Sequence, residues 1–140
     1  MKAKKIITIL FFCAAILCLF GCKRKEQAMH KEIDFTVCDK TKLPEELVEI
    51  IEEKKSKPFK LSYLNNDYMY IVVGYGEVNR QNIKVIVESL YLTDNAVYLE
   101  TNLISMDEEK NNLPKGETSM YPYIAIKCEK YDLPVVFDVD

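Results

Sequence analysis

Apolar residues in this 140-residue chain follow three different rhythms, each predicting a different kind of element. From Ile6 to Phe20 they run without a single charge, behind a basic start at Lys2, Lys4 and Lys5. In "KLPEELVEIIEEKKSKP" they recur at Leu43, Leu47, Ile50 and Ile51, the spacing of one face of a short amphipathic helix. Pro44 suits its first turn, Glu45 and Glu46 favour the positive end of its dipole, and Lys54, Lys55 and Lys57 favour the other. Elsewhere they alternate or cluster in short β-branched and aromatic runs. These are "IDFTVCD" (33–39), "FKLSYL" (59–64), "YMYIVVGY" (68–75), "IKVIVESLYL" (83–92), "AVYLETNLIS" (96–105), "YPYIAIKC" (121–128) and "PVVFDV" (134–139).

Turn chemistry separates the runs. Asn65, Asn66 and Asp67 predict one turn, and Asp94 with Asn95 predicts a two-residue hairpin in which Asn takes positive φ. That hairpin sets Leu92 against Val97, Leu90 against Leu99 and Ile86 against Leu103. In the first run, Ile33, Phe35 and Val37 form the apolar side of a half-buried strand. Because neither face of the 83–105 hairpin is plainly polar, its sheet is expected to be covered twice. The fold class is therefore mainly β (α+β): a small antiparallel β-sandwich or curled sheet with one packed amphipathic helix.

The apolar run at the start reads as an export signal. Its fifteen residues make a rod of about 22 Å, short of the roughly 30 Å hydrocarbon core. The ending "LFGC" resembles the bacterial lipobox, with Leu19 three residues before Cys22 and Gly21 directly before it. That resemblance implies cleavage between Gly21 and Cys22 and lipidation of the Cys22 thiol, and two or more acyl chains suffice for stable anchoring. An uncleaved signal anchor is the other reading, supported by the charges of "CKRKE". Both place the remainder on the extracytoplasmic face of the cell membrane. The chain then divides into a signal peptide (1–21), a lipidated tether (22–32) holding the only histidine, His30, and one β domain (33–140).

Charge sharpens this picture. Lys23, Arg24 and Lys25 adjoin the anchor, whereas residues 26–140 hold 13 Lys and Arg against 22 Asp and Glu. Basic residues beside anionic lipid are attracted to it, and an acidic body is held away. The same balance disfavours nucleic acid. Of five cysteines, Cys38 and Cys128 remain in the folded part, either as a disulfide or as two separate buried thiols. With no CxxC pair and no calcium-loop spacing in "MDEEKNN", no metal or cofactor is expected.

Candidate chemistry is sparse. A histidine confined to the tether removes the commonest nucleophilic triads. Carboxylates are plentiful at Glu45, Glu46, Glu49, Glu52 and Glu53 and at Asp107, Glu108 and Glu109, either as a hydrolytic pair or as solvated surface. The long polar stretch 105–119 and tyrosines such as Tyr68, Tyr70, Tyr121 and Tyr123 suit either a contact surface or, for the tyrosines, a core with wet hydroxyls. "GYGEVNRQN" follows a strand but leads into another strand, so it lacks the helix N-terminus of a phosphate loop.

The order of "LPEELVEIIEEKKSKPF", "YIVVGYGEVNRQNIKVIV", and "LPKG" followed by "YPYIAIK" resembles the C-terminal domain family of the protease complex subunit PrcB, over about Leu43 to Val139. The resemblance implies a non-catalytic module that binds and stabilises a protein partner at the cell surface, such as an envelope protease, through a contact loop here comprising Gly76, Glu77, Asn79 and Arg80. Gly76 and Glu77 match the family stretch, but its Thr-Gly-Gly-Tyr positions hold Arg80, Gln81, Asn82 and Ile83, so the positive φ those glycines permit is expected to be lost. A small-ligand-binding lipoprotein and a carboxylate-dependent envelope hydrolase are the competing functional expectations. Replacing Cys22 by Ala should leave uncleaved precursor without lipid, read by its gel mobility and by metabolic labelling with a fatty acid; normal acylation of that variant would contradict the anchor assignment.

Overall fold

The structure, a computed structural model, describes residues 30–80, 82–106 and 119–139. The signal peptide, Gly21, Cys22, the carboxylates at 107–109 and the "LPKG" motif lie outside them. In chain order the elements are β1 (Lys31–Glu32), β2 (Phe35–Val37), a 3-10 turn (Lys40–Lys42), α1 (Glu45–Lys54), β3 (Pro58–Leu64), β4 (Tyr68–Tyr75), β5 (Ile83–Leu92), β6 (Val97–Ser105), β7 (Tyr123–Glu129) and β8 (Val135–Val139). They form two four-stranded sheets, β1-β5-β6-β8 and β2-β7-β4-β3. Pairing is antiparallel except between β6 and β8, which run parallel. A mainly β fold with two packed sheets and one helix follows, as the apolar rhythm predicts.

The sheet covered on both faces is the one containing β4, rather than the 83–105 hairpin. Met69 to Gly74 are buried without interruption, the signature of a strand with apolar neighbours above and below. One face meets the other sheet: Met69, Ile71, Val73, Ile124 and Ile126 pack with Val85, Leu90, Val97 and Leu99. The opposite face meets the helix: Tyr70, Val72 and Ala125 pack with Leu43, Leu47 and Ile51. Three layers result, with β4 and β7 in the middle one. Between the sheets, the Tyr75 and Thr101 hydroxyls lie 3.0 Å apart, giving Thr101, the only buried polar residue among those described, its partner.

The hairpin keeps two of its three expected pairs. Leu92 faces Val97 and Leu90 faces Leu99, but Ile86 faces Asn102 and Leu103 faces Val85, because the register shifts between Val87 and Ser89. This bulge reconciles two apolar sets that are out of phase: Val85 and Val87 before it, and Leu90 and Leu92 after it, all turn toward the core. Lys84, Ile86, Glu88 and Tyr91 are thereby left on the outer face. There Glu88 accepts from Asn102 Nδ2 at 3.0 Å, Ser89 Oγ donates to Glu100 at 2.8 Å, and Tyr91 stacks between Tyr98 and His30. The connecting turn needs no positive φ at Asn95; the Thr93 hydroxyl accepts from Ala96 N and Asn95 N instead. Asn65 organises the earlier turn by accepting from Asp67 N and Tyr68 N.

The first expected strand is two short ones. Lys31 and Glu32 pair with Leu92 and Tyr91 in one sheet, and Phe35 to Val37 pair with Cys128 to Ile126 in the other. The chain changes sheets at Ile33 and Asp34, and ordered pairing begins at Lys31, inside the stretch expected to be tether. Ile33 alone of the expected apolar face is buried, while Phe35 and Val37 are 39% and 55% exposed. Pro44 precedes α1 with an extended ψ of 141° rather than occupying its first turn.

The two thiols lie on opposite faces of the β2-β7-β4-β3 sheet. Cys38 belongs to the cluster under the helix and Cys128 to the cluster between the sheets, and both are free. Of the two readings left open for Cys38 and Cys128, the structure has two separate buried thiols and no disulfide between them. Burial, aided by the Glu129 carboxylate, pushes the Cys128 thiol up to about 11, so little thiolate exists near neutral pH. Alkylation of the unfolded protein without reductant should label both Cys38 and Cys128, with Cys128 labelling slowly in the native state; a bridged peptide would contradict this arrangement.

Candidate functional site

Two neighbouring features form the candidate site: the turn joining β4 to β5, and the groove beyond it. Gly76 directly follows β4 with φ +74, and a Cβ there would lie 2.7 Å from the Pro58 ring. Its neighbour Gly74 sits opposite Phe59 in the β3–β4 ladder, where a Cβ would meet the ring at 2.2 Å. Both glycines of "GYG" are thus required by close packing against β3, with no ligand in the explanation.

After Gly76 the chain is held to the segment preceding β7. Val78 bridges Met120, the Ser119 hydroxyl donates to Glu77 at 2.6 Å, and it lies 3.3 Å from Asn79 Oδ1. Arg80 is exposed nearby. Of the expected contact residues, then, Glu77 and Asn79 share one hydroxyl, Gly76 shapes the turn, and Arg80 faces solvent. Asn82 corrects one expectation: the positive φ expected to be lost is present there, at 56, a conformation Asn tolerates through its short polar side chain. Its carbonyl accepts from Met106 N at 2.6 Å.

The groove opens where both sheets end on the same side. β1 pairs with β5 only at Tyr91 and Leu92, with one further bond from Ile33 N to the Leu90 carbonyl. Among the described residues, no strand pairs with the outer edge of β5 from Ile83 to Ser89. Across from it lies β2, the three-residue edge of the other sheet. Between them is a cleft of about 660 Å³ lined by Phe35, Val37, Val85, Val87, Tyr123 and Ile124, among others. A second hollow of about 370 Å³ continues past Phe35 and Val87 toward Leu90 and Tyr91. Lys40 lines the first cleft but is engaged, 2.6 Å from Glu52. Lys40 and Lys55 hold the Glu52 carboxyl down to about 2, the opposite of what a general acid requires.

The other sheet edges are guarded. β3 opens with Pro58, which has no N–H to donate, and carries exposed Lys60; β8 carries exposed Asp138. No sequence signal marked the groove, because alternation read Phe35 and Val37 as covered. The brevity of β1 and β2 is a tertiary property.

Among the described residues, no group of three or more His, Cys, Asp and Glu side chains could hold a metal ion, and no helix is long and apolar enough to cross a membrane. No family model, curated protein or solved structure matches the chain. Replacing Gly76 by Ala should cost about 1–2 kcal/mol through its left-handed backbone alone, more if Pro58 cannot yield. Arg80→Ala should stay within about 0.5 kcal/mol. Urea unfolding measures both, and equal stability of Gly76→Ala and the parent would contradict the packing role.

Proposed function

We propose that this chain is a lipid-anchored, extracytoplasmic, non-catalytic domain that binds another polypeptide in the groove beside β5. The observation that supports it most is the pairing of an unfilled strand edge with exposed apolar side chains at Phe35 and Val37. Strand addition uses these two elements: main-chain bonds from the edge give affinity, and side-chain hollows at alternate positions give selectivity. The lipobox-like "LFGC" supports a position at the membrane surface, and His30 and Lys31 join the expected tether to the fold at the end of β5 beside the second hollow. The resemblance to the PrcB C-terminal domain family suggests an envelope protease as the stabilised partner.

A small apolar ligand is the second reading, because about 660 Å³ falls within the size of small-molecule sites. The groove's length along an open backbone edge favours a strand over a compact ligand.

A photo-crosslinking amino acid at position 86, introduced into the full chain in its native cells, should yield polypeptide adducts. The same residue at position 66, in the β3–β4 turn, should yield few. Equal adducts from both positions, or none from 86 alongside a thermal shift with a small apolar compound, would contradict the polypeptide reading.

A further inference from the structure

The open edge carries its own complement. Residues 84–88 read Lys-Val-Ile-Val-Glu, and Lys84, Ile86 and Glu88 share the outer face of the sheet, while Val85 and Val87 share the inner one. A second strand of the same sequence, laid antiparallel with Ile86 opposite Ile86, sets Lys84 of each copy against Glu88 of the other and Val85 against Val87. Opposite charges directly across an antiparallel pair attract, and like charges repel. Shifting the register by two residues breaks both ion pairs, so the charges specify one alignment.

We infer that the groove's occupant is a second copy of this chain, joined along β5 about a two-fold axis perpendicular to the sheet. The inference rests on the groove being a polypeptide site and names its first partner. The axis is fixed by antiparallel pairing within a sheet, and it brings the second sheets of the two copies to the same side. The β2 edges then face one another across the axis. Phe35 and Val37, left 39% and 55% exposed in the single chain, come together there with their counterparts. One isologous contact thus closes the unpaired edge, covers the exposed apolar pair and satisfies two exposed charges per copy. A lipid anchor on each copy favours this association further, because confinement to one membrane surface raises the effective concentration of one chain around another. An envelope partner that adds a strand to β5 would then bind in exchange for the second copy, so self-pairing would regulate the site.

Two differently tagged copies of the full chain, co-expressed and extracted in mild detergent, test this directly. Parent copies should co-isolate. Lys84→Glu paired with itself, and Glu88→Lys paired with itself, should each fall about tenfold or more in recovery, because two attractions per dimer become two repulsions. Lys84→Glu paired with Glu88→Lys should recover co-isolation, since every cross-strand pair is again opposite in sign, and that recovery shows both variants to be folded. Failure of parent copies to co-isolate, or equal recovery in all four combinations, would overturn the self-pairing. Position-86 adducts to other polypeptides in that case would leave the polypeptide-binding role standing without it.

Discussion

Burial of β4 on both faces is the constraint from which the rest of the architecture follows. Its run from Met69 to Gly74 offers no polar side to water, so one face needs the Leu47 and Ile51 stripe of α1 and the other needs the β5–β6 hairpin. Losing either cover exposes side chains whose burial is worth about 1.5–3 kcal/mol each. The helix sequence answers the first need with apolar residues at helical spacing. The hairpin answers the second only through its bulge, which turns both halves of β5 inward.

Closure at the other side is incomplete, and the crossover at Ile33 and Asp34 explains it. One short stretch must serve both sheets, giving two residues to the first and three to the second. Neither strand is long enough to finish its sheet. The edge of β5 and the apolar side chains of β2 are left facing a common groove. The candidate site is therefore a direct consequence of how the chain enters the domain at Ile33 and Asp34.

Much of this fold was legible in the residues. β4 and β5 occupy the runs marked by their β-branched and aromatic content, and α1 buries Leu47 and Ile51 as its spacing requires. The failures share a cause. Ile86 lost its expected partner because a bulge is a compromise between two apolar phases, visible only when the core decides which set wins. Phe35 and Val37 stayed exposed, although they pair with Cys128 and Ile126 on the inter-sheet face, because alternation marks a strand's two faces but cannot say that the strand will break or how far the opposite sheet will cover it. For Cys38 and Cys128, where the residues left two readings open, the sheet between their clusters decides for separate thiols. Asn82 takes a glycine-like positive φ without being glycine, a conformation the loss of glycine letters there had argued against. The groove was illegible for the same tertiary reason as the strand break, while its self-complementary charges at Lys84 and Glu88 acquire meaning only once the edge beside them is known to be open.

We propose that the β5 edge, which no described strand fills in the single chain, is filled in the working protein. Amide hydrogen exchange across Ile83–Ser89, followed from dilute to concentrated full-length protein in detergent, measures it most directly. The account predicts that the amides of this edge facing away from β6 exchange rapidly when dilute, while those of β4 resist, and that they gain protection as copies associate. Protection equal to that of β4 at the lowest concentration, or no change on association, would contradict it.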